Sequence, residues 1–348
     1  MRTVRILAGR TQGPDPPRYP SAVARLSDPV RALPADIGGL RLALLAWFDR
    51  DGRALAFRFA RDPHPWAILV SEVMAQQTQV ARVADRWQRF MDRFPDPGSM
   101  ATAPTGDVIR AWHGLGYNRR AIDLQRAARA IVAAGGRVPA DLDSLVALPG
   151  VGPYTARAVA AIAFGQPVGA VDVNVRRVLG RVTGTIRAPL PARAMQAAAD
   201  AFVDPARAAD WTHALMDLGA TVCRPARPAC DACPIRAWCA FAGMAEATAP
   251  SNAAPPVSGT AAARPPVQAR RPRLSRSGAV PFEATTRWLR GRIVDRLCRL
   301  PRGTRLAFEG SLGVHGPEAV AAALVALAAD GLVELDAMGA ARLAGEGA

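Results

Sequence analysis

Four of the five cysteines, Cys223, Cys230, Cys233 and Cys239, crowd into residues 223–239, separated by six, two and five residues. Thiolates that close together on one short loop can wrap a single compact metal centre. Structural zinc usually takes two Cys-x-x-Cys knuckles far apart, and here one such pair is present. A compact unpaired run favours a [4Fe–4S] cluster. Clustering also argues for a reducing compartment rather than a disulfide framework, and Cys298 stands alone. Arg224, Arg227 and Arg236 interleave with these cysteines, a placement suited to phosphate contact.

Two carboxylates stand in contexts that suit chemistry. Glu72 lies in Ser71-Glu-Val-Met-Ala-Gln-Gln-Thr-Gln79, and Asp172 in Val171-Asp-Val-Asn-Val-Arg-Arg-Val178. Carboxylates in different environments can divide proton donation from stabilisation of a cation. The plainer readings are a solvated helical glutamate and an N-cap aspartate for a helix over 174–180. Apolar neighbours on both sides place Asp172 at a buried edge, where its charge counts for more. Between the two acids, Leu148-Pro-Gly-Val-Gly-Pro-Tyr-Thr-Ala156 joins helical stretches at 140–147 and 155–164. Gly150 and Gly152 permit a sharp turn and a close approach by phosphate, and the amides opening the second helix face an anion. A Gly-x-Gly turn by itself is weak evidence, since many helix connections contain one.

The elements that must position these residues read as mostly helical. The 348 residues suffice for two or three domains and a sizeable core, and half are hydrophobic. Along 66–94 an apolar stripe runs through Leu69, Val73, Val80, Val83, Trp87 and Phe90, with one gap of seven residues. Glu72, Ala75, Gln76 and Gln79 share another face, and Thr78 suits a cap if the helix breaks near 76–78. The expected plan is a tail over 1–38, a helical core over 39–222 with the hairpin at about 140–165, and a cluster loop over 223–240. A Pro/Ala/Arg-rich linker follows at 241–281, with its basic run at 264–276 read as solvated, and then a small winged-helix-like domain over 282–348. That last domain is expected to hold helices at 285–300 and 317–330, with 332–335 and 341–343 pairing as short strands.

Net charge is +15, from 44 basic residues against 29 acidic, and every basic residue is arginine. The excess suits a polyanionic partner. No run of 18 apolar residues occurs, and the basic start carries too short an apolar run for a signal peptide. A cytoplasmic monomer, associated with the nucleoid, is the expectation.

Taken together, the cysteine spacing, the hairpin, the Gly114-Leu-Gly-Tyr-Asn-Arg-Arg-Ala121 segment and the Gly/Pro-rich stretch ahead of Asp172 resemble the helix-hairpin-helix DNA glycosylases. The Glu72 helix resembles that of the adenine DNA glycosylases within that superfamily. The resemblance covers roughly 40–240. It implies a mainly α, two-lobed core around a cleft, and removal of adenine from a mispair with 8-oxoguanine or guanine in double-stranded DNA. It further implies that Glu72 protonates the purine, Asp172 stabilises the cationic sugar and Asn174 orients that site. Gln76 or Gln77 would enter the duplex, while Gly150, Gly152, Tyr154, Arg224 and Arg227 would contact DNA. Tyr154 could equally be an ordinary core or surface residue.

Bifunctional members use a lysine in the second hairpin helix, where this chain has Tyr154. With no lysine in the chain, only the N-terminal amine could form an imine, so a monofunctional enzyme is expected. Three departures stand out. Ala75 replaces a bulky residue, His213 stands where Gln or Glu is expected, and the segment after Phe282 is too short for the larger lesion-reading domain of many members. The alternatives are a same-fold glycosylase for thymine or uracil opposite guanine, and a non-catalytic iron–sulfur DNA-binding module.

Overall fold

The computed structural model describes residues 33–55, 58, 64–186, 188–247 and 280–347. Within them the chain is mainly helical. In chain order come α1 (Ile37–Asp51), α2 (Pro65–Ala75), α3 (Val80–Arg93), α4 (Pro97–Thr102), α5 (Thr105–Trp112), α6 (Arg119–Ala133) and α7 (Leu142–Ala147). There follow α8 (Pro153–Phe164), α9 (Val173–Val182), α10 (Ala192–Phe202), α11 (Ala208–Asp217), α12 (Ala240–Ala247), α13 (Thr286–Arg299) and α14 (Pro317–Ala329). Two short strands, β1 (Val333–Leu335) and β2 (Ala341–Leu343), close the described chain.

The helices gather into two units. The first takes α1 and everything from Gly165 through α12. Asp36 caps α1 by accepting from the Gly39 amide at 2.8 Å, and Leu40, Leu44, Leu45 and Trp47 form its buried side. Arg41 donates to the Ala201 and Phe202 carbonyls that close α10. Arg53 pairs with the fully buried Asp217 at 2.7 Å, tying the exit of α1 to α11.

The second unit takes residues 54–164 together with the C-terminal elements. Helix α2 buries eight of its residues, Trp66 and Ile68–Met74, so polar Ser71 and Glu72 lie inside with the apolar ones. The apolar stripe over 66–94 runs along two helices, α2 and α3, with the break near 76–78 that the sequence allowed and with Gln79 rather than Thr78 as the cap. The break falls in the seven-residue gap of the apolar stripe, where Gln77 takes φ 54. Glu72 and Gln79 therefore do not share a helix face: Gln79 is the N-cap of α3.

The C-terminal elements match the expectation closely: α13 and α14 precede an antiparallel pair in which Val333 faces Leu343. Their core takes in residues from outside them. Leu289, Ile293, Leu297, Leu327 and Leu343 share one buried cluster with Ile109 of α5 and Ile122 of α6. The boundary expected at 38 shifts, because α1 begins at Ile37, and the start of the expected linker is helical through Ala247. Residues 1–32 and the basic run at 264–276 lie outside the described residues.

Candidate active site and anion-binding elements

The predicted site residues are divided between the units. In the second unit Glu72 is 8% exposed on α2. One turn later the helix ends, and Gln76 leaves its axis to donate from Nε2 to Thr155 Oγ1 at 3.1 Å and to the Gly150 carbonyl at 3.3 Å. Gln76 thus binds the end of α2 to the hairpin, and its neighbour Gln77 is the exposed one, held at φ 54. Of the two glutamines, Gln77 has the placement for reaching outward.

Arg120 enforces that geometry. Its guanidinium donates to the carbonyls of Val73, Met74 and Gln76, which end α2, and to those of Leu115 and Gly116. A half-buried cation at the negative end of a helix dipole, filled with carbonyl contacts, suits a stop of this kind. Burial pulls the Arg120 guanidinium down to about 10, which leaves it charged at neutral pH. Two non-glycine residues among those described take positive φ, Gln77 and Tyr117 (φ 46). Arg120 binds next to both. Arg120 lies inside the Gly114–Ala121 segment, and a basic residue two positions beyond a Gly-x-Gly-x-Asn run carries no signal in sequence of where its fork will point.

The hairpin joins α7 to α8. Gly150 takes φ 77, and a Cβ there would come within 2.8 Å of Asp123 Cβ. Gly152 has ordinary φ, so it is not needed for the turn, but it is exposed and a Cβ there would meet nothing within 4 Å. The sharp turn is therefore the work of Gly150, while Gly152 keeps a bare backbone facing outward ahead of α8, a surface a phosphate can approach. Tyr154 is half-buried at the first turn of α8.

In the first unit Asp172 is the N-cap of α9. Its Oδ1 accepts from the Asn174 and Val175 amides at 2.8 and 2.7 Å, and its Oδ2 accepts from Asn174 Nδ2 at 2.8 Å. Asn174 thus holds the second oxygen of the capping carboxylate. Asn174 Oδ1 accepts in turn from Arg177 at 2.9 Å, and Arg177 also donates to the carbonyls of Gly219 (2.7 Å) and Cys223 (2.9 Å). The aspartate is therefore linked, through two side chains, to the backbone of the first cysteine.

All four cysteines line one cavity of about 300 Å³, mouth included, with Arg181 and Phe241 in its wall. Arg181 donates to Cys223 Sγ at 3.2 Å and to the carbonyls of Arg224 and Pro225, and lies 5.0 Å from the Phe241 ring. Burial pushes the Cys233 thiol up to about 12 and raises that of Cys239, with the neighbouring cysteines adding to both. Such thiols ligate as thiolates when a cation shares their cavity. The four cysteines on one cavity wall are a donor set that fits a thiolate-bound metal centre; among the described residues no group of three or more His, Cys, Asp or Glu side chains is placed to hold a single ion. Arg224 and Arg227 are exposed on this loop, and Arg236 pairs with Asp231 at 3.0 Å. His213 is buried and stacked at 6.4 Å on Phe48, a core position.

The hairpin at Gly150, the Asp172 cap beyond it and the four-cysteine loop are placed along the chain as the sequence resemblance implied. The sequence matches the HhH-GPD superfamily of base excision DNA repair proteins over residues 70–202. Adenine DNA glycosylase from Mycolicibacterium smegmatis is 38% identical over 306 residues, spanning 87% of this chain and 96% of that protein. The chain belongs to the adenine DNA glycosylase family of this superfamily. The mouse adenine DNA glycosylase is 44% identical over 216 residues, 59% of this chain. The chain spans 42% of the length of that relative. Among solved structures, a thermostable thymine-DNA glycosylase is 28% identical with a TM-score of 0.55, over 60% of this chain and 98% of that one.

Proposed function

We propose that the protein is a monofunctional glycosylase of base excision repair, hydrolysing the N-glycosidic bond of adenine mispaired with 8-oxoguanine or guanine in duplex DNA, as a monomer in the cytoplasmic compartment. The observation that carries this reading is the buried Glu72 on a helix whose end is tied, through Gln76, to the Gly150–Gly152 hairpin. That arrangement sets an acid beside a turn suited to the DNA backbone. The name borne by the relatives, adenine DNA glycosylase, supports a purine as the base.

In this mechanism the hairpin holds backbone phosphate, and Gln77 enters the duplex as the adenine leaves the stack, at a cost of a few kcal/mol. Glu72 gives a proton to the purine ring, so the base departs with the electron pair of the bond to C1′. The sugar then carries oxocarbenium character, which the Asp172 carboxylate stabilises while Asn174 holds its second oxygen in place. Water adds its oxygen to C1′, and a proton returns to Glu72. Without lysine no side-chain imine forms, and the product is an intact abasic strand. Cys223, Cys230, Cys233 and Cys239 would hold a [4Fe–4S] cluster, whose positive charge lets buried thiols ligate as thiolates and staples the loop bearing Arg224 and Arg227.

The test is a duplex with adenine opposite 8-oxoguanine, analysed with and without alkali. Strand breaks confined to the alkali-treated lane are expected; breaks in the untreated lane would end the monofunctional reading. The likeness to a thymine-DNA glycosylase favours thymine opposite guanine as a second reading, and release of thymine but not adenine would select it. Glu72→Gln is expected to lower excision by roughly 10²- to 10⁴-fold with duplex binding retained; undiminished turnover would remove Glu72 from the mechanism.

A further inference from the structure

The C-terminal elements have the outline of a winged helix, but α14, the helix that would read a groove, is PEAVAAALVALAA. It offers one carboxylate and not a single side-chain donor, so it cannot hydrogen-bond base edges. The donors lie instead on α13, TRWLRGRIVDRLCR. At its first turn Arg287 places its guanidinium 4.1 Å from the centre of the Tyr117 ring and 5.4 Å from that of Phe282. Tyr117 is 37% exposed and Phe282 53%. No carboxylate among the described residues pairs with Arg287, whereas Arg290, Arg292 and Arg299 on the same helix each pair with an aspartate.

The C-terminal elements are also held firmly on α5 and α6. Arg110 grips Glu346 with two nitrogens, at 2.6 and 3.0 Å, and donates to the Cys298 and Leu300 carbonyls. His113 meets Asp295 at 2.7 Å, and the Gly106 amide donates to the Ala344 carbonyl at 2.6 Å. Arg287 therefore reaches Tyr117 from a fixed base. Tyr117 in turn belongs to the positive-φ segment that Arg120 fastens to the end of α2, next to Gln77.

We propose that Tyr117, Arg287 and Phe282 form a composite duplex-binding platform, by which the C-terminal elements contribute directly to DNA binding beside Gln77. The rings offer faces on which a base or sugar can stack, and the unpaired guanidinium offers donors to the adjoining phosphate. The proposal rests on the reading of the protein as a DNA glycosylase.

The experiment compares wild type, Arg287→Ala, Phe282→Ala and Arg299→Ala in the full-length chain. Arg299 removes the same charge from the far end of α13 and serves as the control. Binding to a fully paired duplex, which needs no excision, is measured across salt concentrations beside single-turnover release of adenine opposite 8-oxoguanine. Arg287→Ala is expected to weaken binding by roughly five- to tenfold and to lower the salt slope by about one, with Phe282→Ala weakening binding and Arg299→Ala near wild type. Equal losses in Arg287→Ala and Arg299→Ala would mean bulk charge alone, and no loss in either would mean no contact; both overturn the platform. If wild type releases no adenine, the enzymatic reading fails, while the binding comparison still decides the platform.

Discussion

Asp172 caps α9 and is proposed to stabilise the sugar cation, and its partners let the two tasks be separated. As an N-cap its Oδ1 satisfies two amides of α9, and in the proposed mechanism its charge, with Oδ2 held by Asn174, is set against the sugar. Asparagine can keep the cap, because its one carbonyl oxygen accepts the two amide bonds of α9, but it removes the charge and the oxygen that accepts from Asn174. Asp172→Asn is therefore expected to melt near wild type and to lose roughly 10²- to 10³-fold in excision rate. Asp172→Ala should lose the rate and, in addition, about 1 kcal/mol of stability through the missing cap. Thermal melts beside single-turnover rates check both; an active Asp172→Asn would reduce this residue to a cap. The signal for the cap was present in the local sequence, but the brace from Asn174 through Arg177 to the Cys223 carbonyl was not. It joins residues up to 49 positions apart in the chain, and one arginine among three neighbours on α9 looks like another until the fold aims it.

At the scale of the element, the hairpin divides its work between two glycines that look equivalent in sequence. Gly150 needs its positive φ and its missing Cβ, since Asp123 fills the space. Gly152 needs neither for folding. Gly150→Ala is expected to cost about 1–2 kcal/mol or more in stability, from left-handed strain and crowding together. Gly152→Ala is expected to leave the melting temperature unchanged and to weaken duplex binding, because its new methyl projects into the space a phosphate would use. Parallel melts and binding isotherms test the pair; a destabilised Gly152→Ala protein would contradict this division. Helix α2 carries a similar lesson. Its apolar stripe was legible, and so was a break near Gln76. What closes it is Arg120, from another helix, and that is also what sets Gln76 inward and Gln77 outward.

For the whole molecule, the second unit depends on ion pairs between its helical part and its C-terminal elements. Burial raises the Glu346 carboxyl, but the bonds from Arg110 and the Gly303 amide outweigh that and hold it below the usual glutamate value of 4.5. A carboxylate lowered on folding adds stability that is fully present above its unfolded value and disappears as pH falls through the folded one. The C-terminal elements are thus expected to stay docked at neutral pH and to loosen in acid, below about pH 4.5. Glu346→Gln should destabilise at neutral pH by about 3 kcal/mol, leaving Arg110 without its charge partner, and should flatten the acid limb. Melting curves from neutral to about pH 3 follow both effects; an acid limb unchanged in the variant would assign it elsewhere.

Composition and spacing alone gave the four-cysteine loop, the hairpin, the helical character and the lack of any lysine side chain. Each is a local property: sulfur donors on one loop, glycines at a turn, apolar period along a helix, a residue type that is missing. The secondary structure of residues 282–348 was local too, set by a proline at a first turn and a glycine past a last one. Tertiary structure decided where those elements are held. It put Ile109 and Ile122 into the core of the C-terminal elements, buried Glu72, and brought Arg287 over Tyr117 across 170 residues of chain. These are long-range juxtapositions, chosen by which apolar faces can cover one another. No run of neighbouring residues encodes them, because the free energy that selects them comes from the assembled core rather than from any one segment.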